Sequence, residues 1–444
     1  MVVVFVLVAL LMVGVLVTAN WYVWRRLFRD TTGAPGPVRR IGAAVIAGGW
    51  LLAVGALVAE RAGAPFWLQR VLAWPGFLWL ALSIYLLLAV LAGEVVRPLL
   101  RRYLERRAAA RRPQVAEQPA ASPVADTERI PAGTAPPKEQ PEEPEASGTP
   151  GTPGTPDPGA DEAPPSPLAV PSRRLFVSRV VAGAAAAAAV GTVGYGTYGV
   201  LNGPSVKRVT VPLAKLPRAA HGFRIAVVSD IHLGPVLGRG FAQKVVDTIN
   251  STQPDLIAVV GDLVDGSVKD LGPAAAPLAR LKARHGAYFV TGNHEYFSGA
   301  EQWVAEVRRL GLLPLENART ELPHFDLAGV NDVAGEDEGQ GPDYDRALGD
   351  RDRSRACVLL AHQPVQIHDA VDHGVDLQLS GHTHGGQLWP GNLIAGAANP
   401  TLAGLERYGD TQLYVSRGAG AWGPPTRVGA PSDITVIELA SRQA

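Results

Sequence analysis

The chain has 444 residues, and its 41 lysines and arginines balance 41 aspartates and glutamates, so that the formal net charge is zero. This length leaves room for a membrane region and one good-sized domain, and the balanced charge argues against a nucleic-acid-binding surface. The single cysteine, Cys357, excludes an intrachain disulfide framework. Because Cys357 lies in an apolar run, we expect it to be buried and unreactive.

Three apolar runs in residues 1–112 predict membrane-spanning helices. They extend from Val2 to about Val23, from Ile41 to about Ala59, and from Phe66 or Val71 to Val96. The first run lacks the basic start and the small-residue cleavage site of a signal peptide, which favours a retained span. Arginines cluster within 25–40 and 97–112. The positive-inside rule therefore predicts an outside amino terminus and places both clusters in the cytoplasm.

Residues 113–171 are rich in Pro, Ala, Glu, Gly and Thr. This composition cannot bury a core and indicates a disordered cytoplasmic linker. In residues 172–202, the pair Arg173-Arg174 and then Phe176 precede a weakly apolar run. This segment is similar to a twin-arginine export signal, the alternative being an ordinary span with cytoplasmic arginines. Either interpretation predicts a fourth span and an extracytoplasmic domain at 203–444, in a multi-pass protein of the cell membrane.

Five short polar motifs, each directly after an apolar run, lie in the second half of the chain. They are Asp230-Ile-His232, Gly261-Asp262-Leu-Val-Asp265, Gly292-Asn293-His294-Glu295, His362 and Gly381-His382-Thr383-His384. The apolar runs predict buried parallel strands, whose carboxyl ends are where α/β sheets bind ligands. We therefore expect these side chains to converge on one crevice and to form the inner coordination sphere of two metals.

The pattern between the motifs indicates the fold class. Phe241, Val245 and Ile249 mark the apolar face of one helix, and Trp303 and Val307 mark that of another. Helices and strands alternate at first, and strands dominate later. This order predicts an α/β domain in which two sheets pack together with helices outside.

In this order, the five motifs resemble those of the calcineurin-like metallophosphoesterase superfamily. The resemblance covers about Val206 to Leu439 and implies a four-layer α-β-β-α sandwich. The run Gly381–Gln387 with Trp389-Pro390 after it is similar to the membrane-associated phosphodiesterase branch. That branch includes twin-arginine-exported phosphoesterases and lipid A precursor pyrophosphatases.

The resemblance also implies a ligand set for two divalent ions. Asp262 would bridge both ions, and each site would add three further ligands. These are Asp230, His232 and His384 at the first site, and Asn293, His362 and His382 at the second. A donor set of this kind without thiolates favours Mn, Fe or Zn.

Within the same resemblance, His294 is the expected catalytic residue beside the metals. It would donate a hydrogen bond to the phosphate or a proton to the leaving oxygen. Asp265 would orient its ring, the alternative being that Asp265 caps a helix amino terminus. We expect Glu295 to be structural.

Together these features predict a membrane-anchored dinuclear phosphodiesterase or pyrophosphatase. It would use a metal-activated hydroxide on a lipid-linked or cell-envelope phosphate, and twin-arginine export machinery would be its partner. The alternatives are a phosphomonoesterase or phosphoprotein phosphatase with the same metals, and a non-catalytic membrane receptor, against which the intact ligand set argues. Trp389, Trp422 and Arg427 predict either an apolar and cationic lip for a lipid phosphate or simple loop packing.

Overall fold

The computed structural model describes residues 2–110 and 172–442, so the predicted linker at 113–171 lies outside the described residues. Four helices in the described ranges are long and apolar enough to cross a membrane. They are α1 (Val2–Trp24), α2 (Pro37–Arg61), α3 (Phe66–Ala110) and α4 (Arg173–Asn202). Each coincides with a predicted span. α3 continues well past the predicted end at Val96, because the Arg, Leu, Glu and Ala residues that follow favour helix.

The first of two sheets in the described part of the chain has six strands. Its strands, in spatial order, are β1 (Ser205–Leu213), β12 (Asp433–Ser441), β2 (Phe223–Val228), β3 (Leu256–Val260), β4 (Ala287–Val290) and β5 (Leu313–Pro314). Strands β2 to β5 run parallel, whereas β12 is antiparallel to β2. The carboxyl ends of β2, β3 and β4 therefore meet at one edge.

The second sheet also has six strands. In spatial order they are β10 (Gly404–Tyr408), β11 (Thr411–Val415), β9 (Leu377–Ser380), β8 (Cys357–Leu360), β7 (Asp326–Gly329) and β6 (Ala318–Glu321). The four inner strands are parallel, and both edge strands are antiparallel to their neighbours. The ends of β8 and β9 also lie side by side.

Shorter helices complete the phosphoesterase half of the chain. They are α5 (Arg239–Ser251), α6 (Val268–Ala275), α7 (Asn293–Ser298), α8 (Ala300–Arg309), α9 (Tyr344–Leu348), α10 (Ile367–Asp372) and α11 (Gly391–Ala398). One apolar cluster joins α5, α6 and α8 to the first sheet, a second fills the space between the sheets, and a third joins α9 and α10 to the second sheet. The predicted four-layer sandwich is confirmed.

The long helices pack directly against this domain. The Tyr85 hydroxyl of α3 donates to the Trp389 carbonyl at 2.9 Å, and the hydroxyls of Thr197 and Thr426 lie 2.7 Å apart. Leu388 also packs on an apolar cluster formed by α1, α3 and α4. The helical region and the domain are thus joined by specific contacts along α3 and α4.

Candidate metal centre

The carboxyl ends of five strands bring the predicted motifs together. Asp230 follows β2, Asp262 follows β3, Asn293 follows β4, His362 follows β8 and His382 follows β9. Backbone hydrogen bonds connect the loops, with Asp230 N–H donating to Gly261 O at 3.1 Å and Gly381 N–H to His362 O at 2.9 Å. The predicted convergence on one crevice is confirmed, with three strand ends from one sheet and two from the other.

The backbone at the centre adopts a conformation that side-chain-bearing residues rarely take. Asp230, His232, Asp262, His382 and His384 have φ values of 53°, 48°, 52°, 72° and 52°. Such strain costs about 1–3 kcal/mol per residue and persists where the surrounding structure enforces it, most often at functional sites. The fold therefore holds five of the seven predicted ligands in strained positions.

The side chains form groups around Asp262. The possible ligand atoms of Asp230, His232 and His384 lie within 4.8 Å of one another, as do those of Asp262, His362 and His382. The Asp262 Oδ2 atom lies 3.7 Å from His232 Nε2 and 3.2 Å from His362 Nε2.

The seventh predicted ligand, Asn293, joins the second group. Its Oδ1 lies 3.0 Å from His382 Nδ1. The structure therefore brings all seven residues together in the predicted grouping, with Asp262 between the two groups. Their roles as ligands stay a prediction.

The polar atoms at the centre fit bound cations. His362 Nδ1 lies 2.8 Å from the Val260 carbonyl, to which it donates, so that in the neutral ring Nε2 carries the lone pair. That buried Nε2 has no hydrogen-bond partner among the described residues, an arrangement that is costly unless a ligand satisfies it. His232 Nε2 and His384 Nε2 also face each other at 3.0 Å. Carboxylate, amide and imidazole donors without thiolates suit divalent transition ions.

The electrostatics hold three of the predicted ligands in forms that bind metal. Burial and the neighbouring His362 lower the pKa of His382 to about 4, and burial together with His232 lowers the pKa of His384. Burial acts to raise the pKa of Asp262, but the neighbouring His362 and His232 outweigh it and hold the pKa well below its usual range. Neutral imidazole and ionised carboxylate are the forms that coordinate metals. At His232 and His362 burial acts to lower the pKa, but the charges of Asp265 and Asp262 outweigh it and raise the pKa, and burial raises the pKa of Asp230.

Asp265 holds two histidines at once. Its Oδ1 lies 2.7 Å from His294 Nδ1 and 2.8 Å from His232 Nδ1. Burial alone would lower the pKa of His294, but the hydrogen bond and charge of Asp265 raise it to about 9. The alternative role of Asp265 as a helix cap is wrong, because the Ser267 side chain accepts from Asp270 N–H and caps α6.

Glu295 has the predicted structural role. Its buried carboxylate accepts hydrogen bonds from the N–H groups of Asp262 at 3.0 Å, Leu263 at 2.8 Å and Gly292 at 2.6 Å. It thereby ties the loop after β3 to the loop after β4. In the motif Gly-Asn-His-Glu, the glutamate follows three residues after the glycine, which places its carboxylate well to accept from the glycine N–H.

Of the two alternatives for Arg427, the structure supports loop packing rather than a cationic lip. Its side chain is buried and donates to the Gly420 carbonyl at 2.6 Å and the His384 carbonyl at 3.1 Å, and Nη2 lies 3.0 Å from His384 Nδ1. The tight loops beside the last motif leave carbonyls pointing inward, and the guanidinium satisfies them. Backbone carbonyls follow every residue, so the sequence carried no specific signal for this role.

Aromatic side chains and the long helices border the centre. The His294 ring lies 5.5 Å from the Phe297 ring and 5.8 Å from the Trp422 ring, measured between centroids. Both aromatic residues are exposed. Glu60 at the end of α2 and Phe77 of α3 line a small cavity together with His232 and Asp265. Residues of α2 and α3 therefore lie beside the centre and share this small cavity with it.

Comparison with known proteins places this geometry in a family. The family model for calcineurin-like phosphoesterases matches residues 223–386. A Danio rerio transmembrane protein with a metallophosphoesterase domain is 38% identical over 259 residues, covering 54% of this chain and 59% of that protein. An uncharacterized metallophosphoesterase of Helicobacter pylori is 37% identical over 273 residues, covering 61% of this chain and 73% of that protein.

A further relative, the uncharacterized metallophosphoesterase YkuE of Bacillus subtilis, is 31% identical over 280 residues. The match covers 61% of this chain and 98% of YkuE. It thus includes nearly the whole relative, whereas the match to the Danio rerio protein covers little more than half of it. With its five motifs assembled at two sheet edges, the chain belongs to the calcineurin-like metallophosphoesterase family.

Proposed function

We propose that the protein is a membrane-anchored phosphoric ester hydrolase that cleaves a phosphodiester or pyrophosphate in a lipid-linked or cell-envelope substrate. The observation that carries this proposal is the grouping of six further ligand-type side chains around Asp262, beside the Asp265–His294 pair. Asp230, His232, Asp262 and His384 would hold one divalent ion. Asp262, Asn293, His362 and His382 would hold a second.

When bound, such a pair of Mn, Fe or Zn ions supplies positive charge to phosphoryl oxygens and lowers the pKa of water. The protein's own residues supply orientation and a proton. His294 Nδ1 is occupied by Asp265, so its other ring nitrogen is left for the substrate. Because its pKa is raised to about 9, the ring carries a proton near neutral pH and donates it to a phosphoryl or leaving oxygen.

The proposed setting is a multi-pass membrane protein in four parts. Residues 1–112 form three spans, 113–171 the cytoplasmic linker, 172–202 a twin-arginine-like signal with the fourth span, and 203–444 the extracytoplasmic catalytic domain. The four long apolar helices support this arrangement. Arginines at 25, 26 and 29 and at 101, 102, 106 and 107 support a cytoplasmic position for the carboxyl ends of α1 and α3.

The test uses the purified full chain in detergent. We expect close to two transition-metal ions per chain by elemental analysis, and faster hydrolysis of a bis-ester than of a mono-ester of the same phenol. Removal of the ions with a chelator should abolish both activities, and added Mn or Zn should restore them. A chain loaded with metal that cleaves neither ester would contradict the hydrolase proposal, and preference for the mono-ester would favour a phosphomonoesterase.

A further inference from the structure

An uncharged segment leads away from the last metal motif. Residues 385–405 contain no charged side chain between His384 and Glu406; we call this the apolar segment. Among the residues that the structure describes, none within α11 is buried, and Leu393 and Ile394 are 68% and 77% exposed. A contiguous exposed apolar surface of this kind is typical of a protein-binding or membrane-binding site.

The apolar segment is attached to the long helices. Its Trp389 carbonyl accepts from the Tyr85 hydroxyl at 2.9 Å, and Leu388 packs in the same cluster as Val23, Tyr85 and Val193. Trp389 itself is 51% exposed beside α3. The segment therefore continues the apolar surface of the membrane helices.

Charged residues mark where the hydrocarbon region ends on one side. Arg26 forms ion pairs with Glu94 at 2.7 Å and with Asp30 at 2.9 Å, and Arg97 lies 3.2 Å from Glu94. Tyr85 precedes Glu94 by nine positions in α3, which is about 14 Å along a helix. The hydrocarbon core of a bilayer is about 30 Å thick. In a bilayer whose boundary lies at Glu94, Tyr85 and the Trp389 backbone are at hydrocarbon depth.

The metal centre lies beside a part of α3 that is farther from Glu94 than Tyr85 is. Phe77, which lines the cavity shared with His232 and Asp265, precedes Glu94 by seventeen positions, or about 26 Å of helix. Trp74 lies just beyond it, and Tyr195 and Tyr198 are exposed on α4. Tryptophan and tyrosine collect at membrane–water interfaces. The centre is therefore level with the far boundary of the hydrocarbon core.

Irregular backbone at membrane depth requires partners within the protein, and the apolar segment has them. Gln387 Nε2 donates to the Trp422 carbonyl at 2.9 Å and the Pro424 carbonyl at 3.1 Å. Trp389 N–H donates to the Val428 carbonyl at 2.9 Å, and the Thr383 hydroxyl donates to the Leu402 carbonyl at 2.6 Å. These polar groups of the segment are therefore paired within the protein, while Leu393 and Ile394 are exposed.

We propose that the apolar segment is embedded in the membrane leaflet on the phosphoesterase side, with Leu393 and Ile394 among the acyl chains and the metal centre at headgroup level. The partner of this surface is the lipid bilayer itself. The assignment of a substrate class rests on the proposed function. The substrate is then a lipid of the same leaflet, whose headgroup phosphate reaches the centre by lateral diffusion.

The first experiment measures depth without using activity. Ile394→Cys in the full chain is labelled with an environment-sensitive fluorophore and reconstituted in phosphatidylglycerol–phosphatidylethanolamine vesicles. Leu313→Cys is the matched control, because Leu313 is 47% exposed on the far edge strand of the first sheet. The native Cys357 is buried and its thiol pKa is raised to about 12, so it stays unlabelled.

We expect nitroxides on lipid acyl chains to quench the probe at 394 and aqueous iodide to leave it bright, with the opposite pattern at 313. Iodide quenching at 394 equal to that at 313 would overturn the proposal. Protection at 394 from both quenchers would also overturn it, because protein rather than lipid would then cover the segment.

The second experiment tests the substrate class. Ile394→Asp should slow hydrolysis of phosphatidylglycerol in vesicles about tenfold or more, since a charge is strongly disfavoured in hydrocarbon, while turnover of a soluble bis-ester in detergent is unchanged. Equal loss on both substrates would contradict the lipid assignment. If the unaltered protein cleaves neither ester, the proposed function fails, whereas the quenching result still decides the position of the segment.

Discussion

Asp265 Oδ1 lies 2.7 Å from His294 Nδ1, and the same oxygen lies 2.8 Å from Nδ1 of the predicted ligand His232. One buried carboxylate therefore orients both the proposed acid and one of the proposed metal ligands. Metal-bound histidines commonly donate their second ring N–H to such a partner, and here the shared carboxylate fixes the position of His294 relative to His232. This contact connects proton donation to the metal centre.

Asp265→Asn should remove this orientation while keeping the shape of the side chain. We expect turnover to fall about 10²–10⁴-fold, the range for loss of positioned general acid catalysis. Metal content, measured by elemental analysis, should fall less than turnover, because the ligands themselves remain. Ser267→Ala is the control: it removes the actual cap of α6 and should cost about 1 kcal/mol of stability without changing turnover. Equal turnover in both variants would show that Asp265 has only a structural role.

Asp262→Asn should affect both metal sites. Its Oδ2 lies near ring nitrogens of both groups, and a neutral amide is a weaker ligand than a carboxylate. We expect loss of more than one ion per chain and of nearly all hydrolysis, whereas Asp410→Asn, at an exposed side chain, should change neither. A variant with full metal content and turnover would refute a bridging role.

The residues that meet at the candidate centre could be predicted from sequence because each belongs to a short motif directly after a strand. As predicted, the motif at Gly261 directly follows strand β3, which ends at Val260, and the motif at Gly292 begins two residues after β4 ends at Val290. The contacts that could not be predicted join distant parts of the chain. Tyr85 and Trp389 are 304 positions apart, and no local pattern indicates which helix meets which loop.

The contacts of Arg427 also could not be predicted from the sequence. Its position in a run of Gly and Pro residues indicated an exposed loop, since charged residues are seldom buried without partners. Its partners are backbone carbonyls of other loops, which are present after every residue and carry no sequence signal. Only the assembled fold shows that they converge.

Arg427→Met should therefore destabilise the domain. It leaves the carbonyls of Gly420, His384 and Ala430 without their buried donor, and each unsatisfied group costs about 1–3 kcal/mol. We expect the free energy of unfolding to fall by about 3 kcal/mol or more, with weaker metal binding because His384 loses its support. The exposed Arg353 provides the control, Arg353→Met. Unfolding curves that coincide for the two variants would contradict this role.

Cys357 should be unreactive at any pH at which the protein is folded. Burial raises the pKa of its thiol to about 12, so the nucleophilic thiolate is scarce below that pH and becomes accessible only on unfolding. Iodoacetamide at pH 9 should leave the native full chain unmodified by mass spectrometry and should alkylate it in denaturant. Leu313→Cys, at a position that is 47% exposed on the edge strand β5, provides a thiol that should react under native conditions. Modification of native Cys357 at a similar rate would contradict its burial.

The export route can be tested at the start of α4. Ser172 caps this helix by accepting from Leu175 N–H, and Arg173 and Arg174 form its first turn. The twin-arginine route carries folded domains, so a histidine–carboxylate centre would take its metal from the cytoplasmic supply. This matters because affinity alone favours copper or zinc over manganese.

Replacing Arg173 and Arg174 with lysine keeps both positive charges, so that charge-driven orientation of the span is preserved. If the pair is an export signal, the double variant should leave the domain folded and metal-loaded inside the cell, protected from protease added to spheroplasts. Lysine at Arg106 and Arg107, an adjacent pair near the end of α3, is the matched control and should be exported normally. Export of both variants would contradict the twin-arginine hypothesis and favour general insertion, with metal acquired outside, while the assignment to the metallophosphoesterase family would stand.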